Sequence, residues 1–250
     1  MRRQELLDYL DDFLNTKSFS DYGPNGLQVE GRENIQRVVT AVSASAELFQ
    51  QAIELEADAI IVHHGIIWDA ERPVYQGSYK QRVKMLLEKD INLFAYHLPL
   101  DAHPEIGNAA QMAKLLGVTD CVSFGEYRGS WIGIKGRIRP RLAEEVFSLI
   151  REKINPAIII FPFGPLKIER IGIISGSAPK EIRQAVADRL DMFLTGEASE
   201  FVMHYAKEEE IHFVAAGHYA TERCGIRALG EHIREKFSIK VDFIDIPNPV

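Results

Sequence analysis

The chain has 250 residues, 46% of them hydrophobic, enough to bury a substantial core as one large α/β unit or two smaller domains. Its 29 basic and 36 acidic residues give a formal net charge of −7, which excludes a global basic field for nucleic acid and leaves only a local patch or a ring-shaped assembly to present one. Cys121 and Cys224 are too few for a disulfide framework and point to a reducing compartment, and no run approaches membrane-spanning length, so a cytoplasmic protein is expected.

The N-terminal stretch MRRQELLDYLDDFLN carries acids at Glu5, Asp8, Asp11 and Asp12, so it reads as an amphipathic helix and not as a secretory leader. Pro24, Asn25 and Gly26 mark an irregular loop. RVVTAV at 37–42 is a short buried strand, and Ser45 is placed to cap a helix over about 46–56. ADAIIVHH is near-continuously apolar, as a strand buried on both faces of a parallel sheet must be. A loop with Trp68 and Pro73 precedes a helix over about 78–89; INLFAYH is a third strand, LPLDAH a loop and GNAAQMAKLLG a helix. Such strand–helix alternation predicts a mostly parallel sheet.

From 121 to 168 the pattern changes: SWIGIKGRI and AIIIFPFG flank the helix RLAEEVFSLIREKI, with tight turns and a mixed sheet expected. Regular alternation resumes with ERIGIISGSAPKEIRQAVADRLDMFLTGE and EEEIHFVAAGH, then a helix from about 223 to 236 and a closing strand, SIKVDFIDI. In SGSAPKE, Ser177 is expected as a cap and Pro179 in the first turn. The two halves echo each other. RVVTAVSASAELFQQAIELEADAIIVHH parallels RIGIISGSAPKEIRQAVADRLDMFLTGE at a constant displacement, setting His64 against Glu197. A slightly different displacement sets His97 and Asp101 against His218 and Glu222. The fold class expected is therefore α/β: two related, interleaved modules with mostly parallel or mixed sheets, residues 1–124 and 125–250, with elements exchanged between them.

Ligands in open α/β sheets gather at the carboxyl ends of strands. His63, His64, Asp101, His218 and Glu222 all fall there, the first three on the first module and the last two on the second. A lone histidine after a strand is more often a packed or solvated one. Five such groups make a nitrogen- and oxygen-rich set suited to two divalent metal ions, iron, manganese or zinc, in a site between the modules. Adjacent strand residues point to opposite faces, so His63 and His64 reach one site only if the backbone turns, for which Gly65 is the candidate. For His218 and Glu222, a strand-to-helix loop through Tyr219-Ala220-Thr221 is expected. His97 is a candidate metal ligand or substrate contact, or else orients a ligand from behind; Glu197 is a candidate for acid–base work or for the same orienting role, and either could manage protons. Cys224 reads as a packing residue, His103 as a neighbour of the cluster, and His204, His212 and His232 as structural or exposed.

With those residues in view, the chain resembles the dinuclear-metal family known as GTP cyclohydrolase 1 type 2 homologues, or NGG1-interacting-factor-like proteins. The likeness rests on NGLQV at 25–29, ADAIIVHHG at 57–65, INLFAYHLPLDAHPEIGN at 91–108, FLTGEASE at 193–200, AAGHYATERCGIRAL at 215–229 and FIDIPNP at 243–249. The resemblance implies metal ligation by His63, His64, Asp101, His218 and Glu222, and a homohexameric ring. The expected function is a dinuclear metal-dependent hydrolase of unassigned substrate, nucleotide-like or phosphoester, with metal-bound water or hydroxide as nucleophile. The alternatives are a metal-handling protein or a non-catalytic metal-containing ring that binds protein or nucleic acid. For nucleic acid, Lys135, Arg137, Arg139 and Arg141 are the candidate basic cluster.

Overall fold

The structure, a computed structural model, describes residues 1–72 and 74–250; Pro73, expected in the loop before the third helix, lies outside the described residues. In chain order the elements are α1 (Arg3–Phe13), β1 (Gly26–Val29), β2 (Arg37–Ser43), α2 (Ala46–Glu54), β3 (Ala59–His64), α3 (Gly77–Lys89), β4 (Asn92–Ala95), α4 (Leu98–Asp101) and α5 (Asn108–Leu116). Then follow β5 (Thr119–Tyr127), β6 (Ser130–Leu142), α6 (Ala143–Lys153), β7 (Ile159–Pro162), β8 (Lys167–Ile173), α7 (Ile182–Ala187), β9 (Met192–Thr195), α8 (Glu200–Glu208), β10 (His212–Ala215), α9 (His218–Phe237) and β11 (Lys240–Phe243). The chain divides into two compact units, one of Met1–Leu100 with Ile226–Pro247, the other of Asp101–Gly225 with Asn248–Val250. The sequence puts the change of module at 124/125; the compact units part at Leu100/Asp101, with Asp101 in the second.

The first unit holds a five-stranded sheet in the order β1-β4-β3-β2-β11, parallel except for β1. Its central strands are apolar because both faces are covered: β3 is buried from Ala59 to His63, and β2 from Val38 to Val42. Ser45 caps α2 as expected, its Oγ accepting the N–H of Leu48 at 3.1 Å. The helix then buries Leu48, Phe49 and Ala52 in the core, the two larger side chains contributing about 1.5–3 kcal/mol each.

The second unit holds a six-stranded mixed sheet in the order β5-β6-β8-β9-β10-β7. Within it the run β7-β10-β9-β8 repeats β1-β4-β3-β2 of the first unit, with the same parallel pairs and the same antiparallel edge strand. One carboxylate in each repeat, just before a parallel strand, ties the start of that strand to the backbone of its neighbour. Asp58 Oδ2 accepts the backbone N–H groups of Gln36 at 2.8 Å and Arg37 at 3.0 Å, while Oδ1 meets the Arg32 guanidinium at 2.9 Å. Asp191 Oδ2 accepts those of Glu169 at 2.9 Å and Arg170 at 2.7 Å, while Oδ1 meets the Arg170 guanidinium at 2.9 Å. The second displacement differs by one residue from that expected. Asn92 and His212 open equivalent strands, so Gly217 and Thr221, not His218 and Glu222, correspond to His97 and Asp101.

Four local expectations are corrected. LPLD is a single helical turn, since Pro99 sits where no N–H is required. The last helix starts at His218, five residues early, because Gly217 at φ +89° makes the sharp turn out of β10 alone. Ser177 does not cap; its Oγ donates to Glu197 Oε2 at 3.0 Å. Finally, β5 is a strand not anticipated, an edge strand mostly exposed from Thr119 to Ser123. The basic candidates on β6 are partly neutralised: Lys135 pairs with Asp188 at 2.7 Å and Arg137 with Glu169 at 2.6 Å.

Replacing Asp58 or Asp191 by alanine orphans two backbone N–H groups, and each change is expected to cost about 2–4 kcal/mol, read as a lower urea midpoint at unchanged slope. Burial alone would raise the Asp191 pKa, but the hydrogen bonds from Arg170 and Glu169 and the Arg170 charge outweigh it and hold the carboxyl below its usual value. Its stabilisation is therefore complete above about pH 4 and lost as pH falls through the depressed value, so Asp191→Ala should flatten the acid limb of the stability curve.

Candidate metal centre

In the first unit, His63 and His64 end β3, and their ring centroids lie 4.7 Å apart. His97, two residues past β4, joins them, its centroid 5.0 Å from His63 and 5.5 Å from His64. One ring nitrogen of each of the three lies within 4.8 Å of the other two. The groups behind the rings decide which nitrogen can coordinate. His63 Nδ1 sits 3.0 Å from the Tyr96 carbonyl, which can only accept, so Nδ1 carries the hydrogen and Nε2 the lone pair. His97 Nδ1 is 2.7 Å from Asp21 Oδ1 with the same consequence. His64 Nδ1 is 3.0 Å from Ser43 Oγ, a partner compatible with the same tautomer.

Asp21 is itself buried and heavily bonded. Its Oδ2 accepts the N–H of Leu98 and the amide of Asn25, both at 2.9 Å, and Asn25 Oδ1 accepts the N–H of His97 at 2.8 Å. Burial would raise the Asp21 pKa, but the His97 hydrogen bond and charge, with Asn25 and the Tyr22 N–H, lower it to about 2. Asp21 is thus a permanent anion behind His97. Gly65, expected to free the backbone, does something else. A Cβ there would fall 2.2 Å from Gln28 Oε1, the atom that accepts the N–H of Ile66 at 2.8 Å and of Ile67 at 3.2 Å. The glycine admits the side chain that pins the loop after the histidines.

In the second unit, Asp101 closes α4, with Oδ1 accepting from Asn108 Nδ2 at 2.8 Å and Ser175 Oγ at 2.7 Å. His218 opens α9, and Glu222 follows one turn later on the same face, with His218 Nε2 3.1 Å from Glu222 Oε1. The early helix start creates that pairing, in place of the loop expected through Tyr219-Ala220-Thr221. His218 Nδ1 is bonded to the Glu197 carboxylate, so with carboxylates at both nitrogens the ring is held in its charged form, and a cation taking Nε2 would leave the hydrogen on Nδ1. Carboxylate oxygens of Asp101 and Glu222 lie within 4.8 Å of each other. Gly176, at φ +61°, approaches so closely that a Cβ would stand 2.3 Å from Glu222 Oε1. Burial would lower the His218 pKa, but hydrogen bonds and charges from Glu222 and Glu197 outweigh it and raise the value to about 9.

These donors fit divalent metal: imidazoles held by acceptors behind them, and buried carboxylates oriented by neighbours, are how ligands are aimed at a cation. Asp21, Asn25, Ser43 and Ser175 are the supporting residues that sequence reading missed. The remaining candidates stand apart. Cys224 joins no donor group among the described residues. His212 is buried, its Nε2 bonded to the Pro165 carbonyl at 2.8 Å, and His232 is bonded to the Tyr9 hydroxyl at 2.5 Å. His204 is exposed on α8, and His103 Nδ1 accepts the N–H groups of Glu105 and Ile106.

Comparison with known proteins gives a consistent result. The family model of Duf34/NIF3 (NGG1p interacting factor 3) matches residues 1–249. The chain is 44% identical over 260 residues to the GTP cyclohydrolase 1 type 2 homolog of Salmonella typhimurium, and 44% identical over 255 residues to that of Escherichia coli K12, with 100% of each chain covered in both. A solved structure described as protein ybgI, of unknown function, matches at 44% identity and a TM-score of 0.95. TTHA1606 from Thermus thermophilus matches at 33% and 0.93; both cover 100% of each chain. Reduced HcgD from Methanocaldococcus jannaschii, at 20% identity and a TM-score of 0.87 over 98% of each chain, shares the fold.

Glu197→Gln is expected to weaken metal binding about 10–100-fold, measured by competition with a chelator. A metal that took His218 Nε2 would have to displace the proton this ring holds up to about pH 9, so uptake at pH 7 should then release about one proton from it, and the release should vanish above pH 9. Calorimetry in buffers of different ionisation enthalpy reads the difference.

Proposed function

Since the chain belongs to the Duf34/NIF3 family, we propose that it is a dinuclear metal-dependent hydrolase, with His63, His64, Asp101, His218 and Glu222 holding two divalent cations, iron, manganese or zinc. The observation that carries this reading is the common engagement of Nδ1 in all four ring systems, His63, His64, His97 and His218, which leaves Nε2 for coordination; the acceptor-only partners of His63 and His97 commit those two rings to it. The first unit supplies imidazole nitrogens, and the second supplies two carboxylates with one nitrogen, the donor types that borderline divalent cations take. Such a pair supplies Lewis acidity and lowers the pKa of water.

The chain's own groups then divide the work. Asp101 is held by Asn108 and Ser175, so its carboxylate does not reorient. Glu197 orients His218 and stabilises its charged form, while Ser177 steadies Glu197. His97, backed by the Asp21 anion, is the group fitted to hold or move a proton beside the histidine pair. The substrate class is nucleotide-like or phosphoester; the name of the curated relatives supports trying nucleotides first. The reading includes a homohexamer and a cytoplasmic setting, as the family resemblance implies; among the described residues no helix is long and apolar enough to cross a membrane. A non-catalytic nucleic-acid role is less favoured, because Lys135 and Arg137 already have acidic partners.

Purified without chelators and without oxygen, the protein should carry close to two metal ions per chain by elemental analysis. His64→Ala and Asp101→Ala should each lose at least one ion and about 10³-fold or more of metal-dependent phosphoester or nucleotide turnover, with unchanged circular dichroism. Full metal content with no turnover of any phosphoester, nucleotide or cyclic amide would leave a metal-handling role instead.

A further inference from the structure

Loops 19–25 and 65–72 of the first unit carry two aromatic rings that the metal reading does not use. Trp68 is half-buried, its ring edge-on to His97 at 5.4 Å and tilted against His64 at 6.0 Å. Tyr22, 40% exposed, tilts against His97 from the other loop at 5.9 Å. Both loops follow no core pattern, yet they are tightly pinned. The Asp69 N–H donates to the Tyr22 carbonyl at 2.7 Å, and Gln28 holds Ile66 and Ile67 from below. Gly23 lies so near that a Cβ would meet the Ile67 carbonyl at 2.5 Å and Trp68 Cα at 3.3 Å.

Burial alone would put an indole inside, and solvation alone would put a polar residue there. An aromatic pair kept half-open on rigid loops, beyond the carboxyl ends of parallel strands and against coordinating histidines, is instead a preformed stacking surface. We propose that Trp68, flanked by Tyr22, is the subsite for a planar, conjugated ring of the substrate, set beside the reacting bond. The proposal rests on the hydrolase reading, for which it names the substrate class: a heterocycle and not an acyclic ester or a simple phosphate. Stacking of this kind tolerates ring identity, since every such ring offers a π face, and it accounts for rigid loops that carry no charge clamp.

The chain has two tryptophans, so Trp131→Phe leaves Trp68 as the sole indole reporter, and Trp131 is 51% exposed on β6, far from any role argued above. Hypoxanthine should quench Trp68 fluorescence saturably in this variant, loaded with zinc, while the saturated cyclic amide 2-piperidone should not. Binding of hypoxanthine, read by calorimetry, should weaken about tenfold or more in Trp68→Leu and be restored in Trp68→Phe, which keeps a ring. Linear collisional quenching, or equal affinity in Trp68→Leu, would overturn the subsite. Zinc content, measured on the same samples, reports the metal centre separately: a full complement with no stacking sinks only this proposal, and an empty centre sinks the hydrolase reading itself.

Discussion

An imidazole can coordinate a cation only through the nitrogen that bears its lone pair, and in this protein that choice is made by what stands behind each ring. A backbone carbonyl fixes His63, an ionised carboxylate fixes His97, another carboxylate stands behind His218, and a serine hydroxyl adapts to His64. The fold exists around those acceptors. Tyr96 brings its carbonyl because β4 pairs with β3; Asp21 arrives because the loop before β1 is folded back onto the end of β4; Glu197 arrives at the end of β9. Removing an acceptor leaves every candidate donor in the sequence and still frees its ring to change tautomer.

The internal repeat shows which features are architectural and which have been put to chemical use. Asp58 and Asp191 do the same task in both repeats, each tying two consecutive backbone N–H groups on the neighbouring strand or its entry. At the other end of the sheet the equivalence breaks. His64 and Glu197 occupy matching places, but one is a candidate donor and the other supports a donor on the next element. One end of each sheet is thus alike because stability asks the same of both, while the other ends carry different side chains.

Much of this was legible beforehand. The β3 and β10 runs are apolar because they are buried on both faces, so they announce themselves, and a histidine at the end of such a run stands out. The boundary at His218 was hidden. Tyr219 and Thr221 are indifferent helix formers, and what stabilises them is tertiary: Thr221 is fully buried, its Oγ1 taking the Gly176 N–H at 3.0 Å and donating to the His218 carbonyl at 2.8 Å. Asp21 was hidden for a different reason. In a loop rich in glycine, proline and asparagine an aspartate reads as a turn former, and its partner lies more than seventy residues away. The β5 strand escaped because an exposed edge strand needs no apolar alternation.

One feature of connectivity reaches beyond the site. β11, near the end of the chain, pairs with β2 and forms an outer edge of the sheet that holds His63 and His64. About two hundred residues separate β2 from β11, so on the ribosome the β2 margin stays bare until that stretch has emerged. During that interval the imidazoles of His63 and His64 are already synthesised, and the bare margin is open to pairing with a neighbouring nascent chain. Vectorial synthesis thus sets completion of the first sheet after the strands of the second have been made.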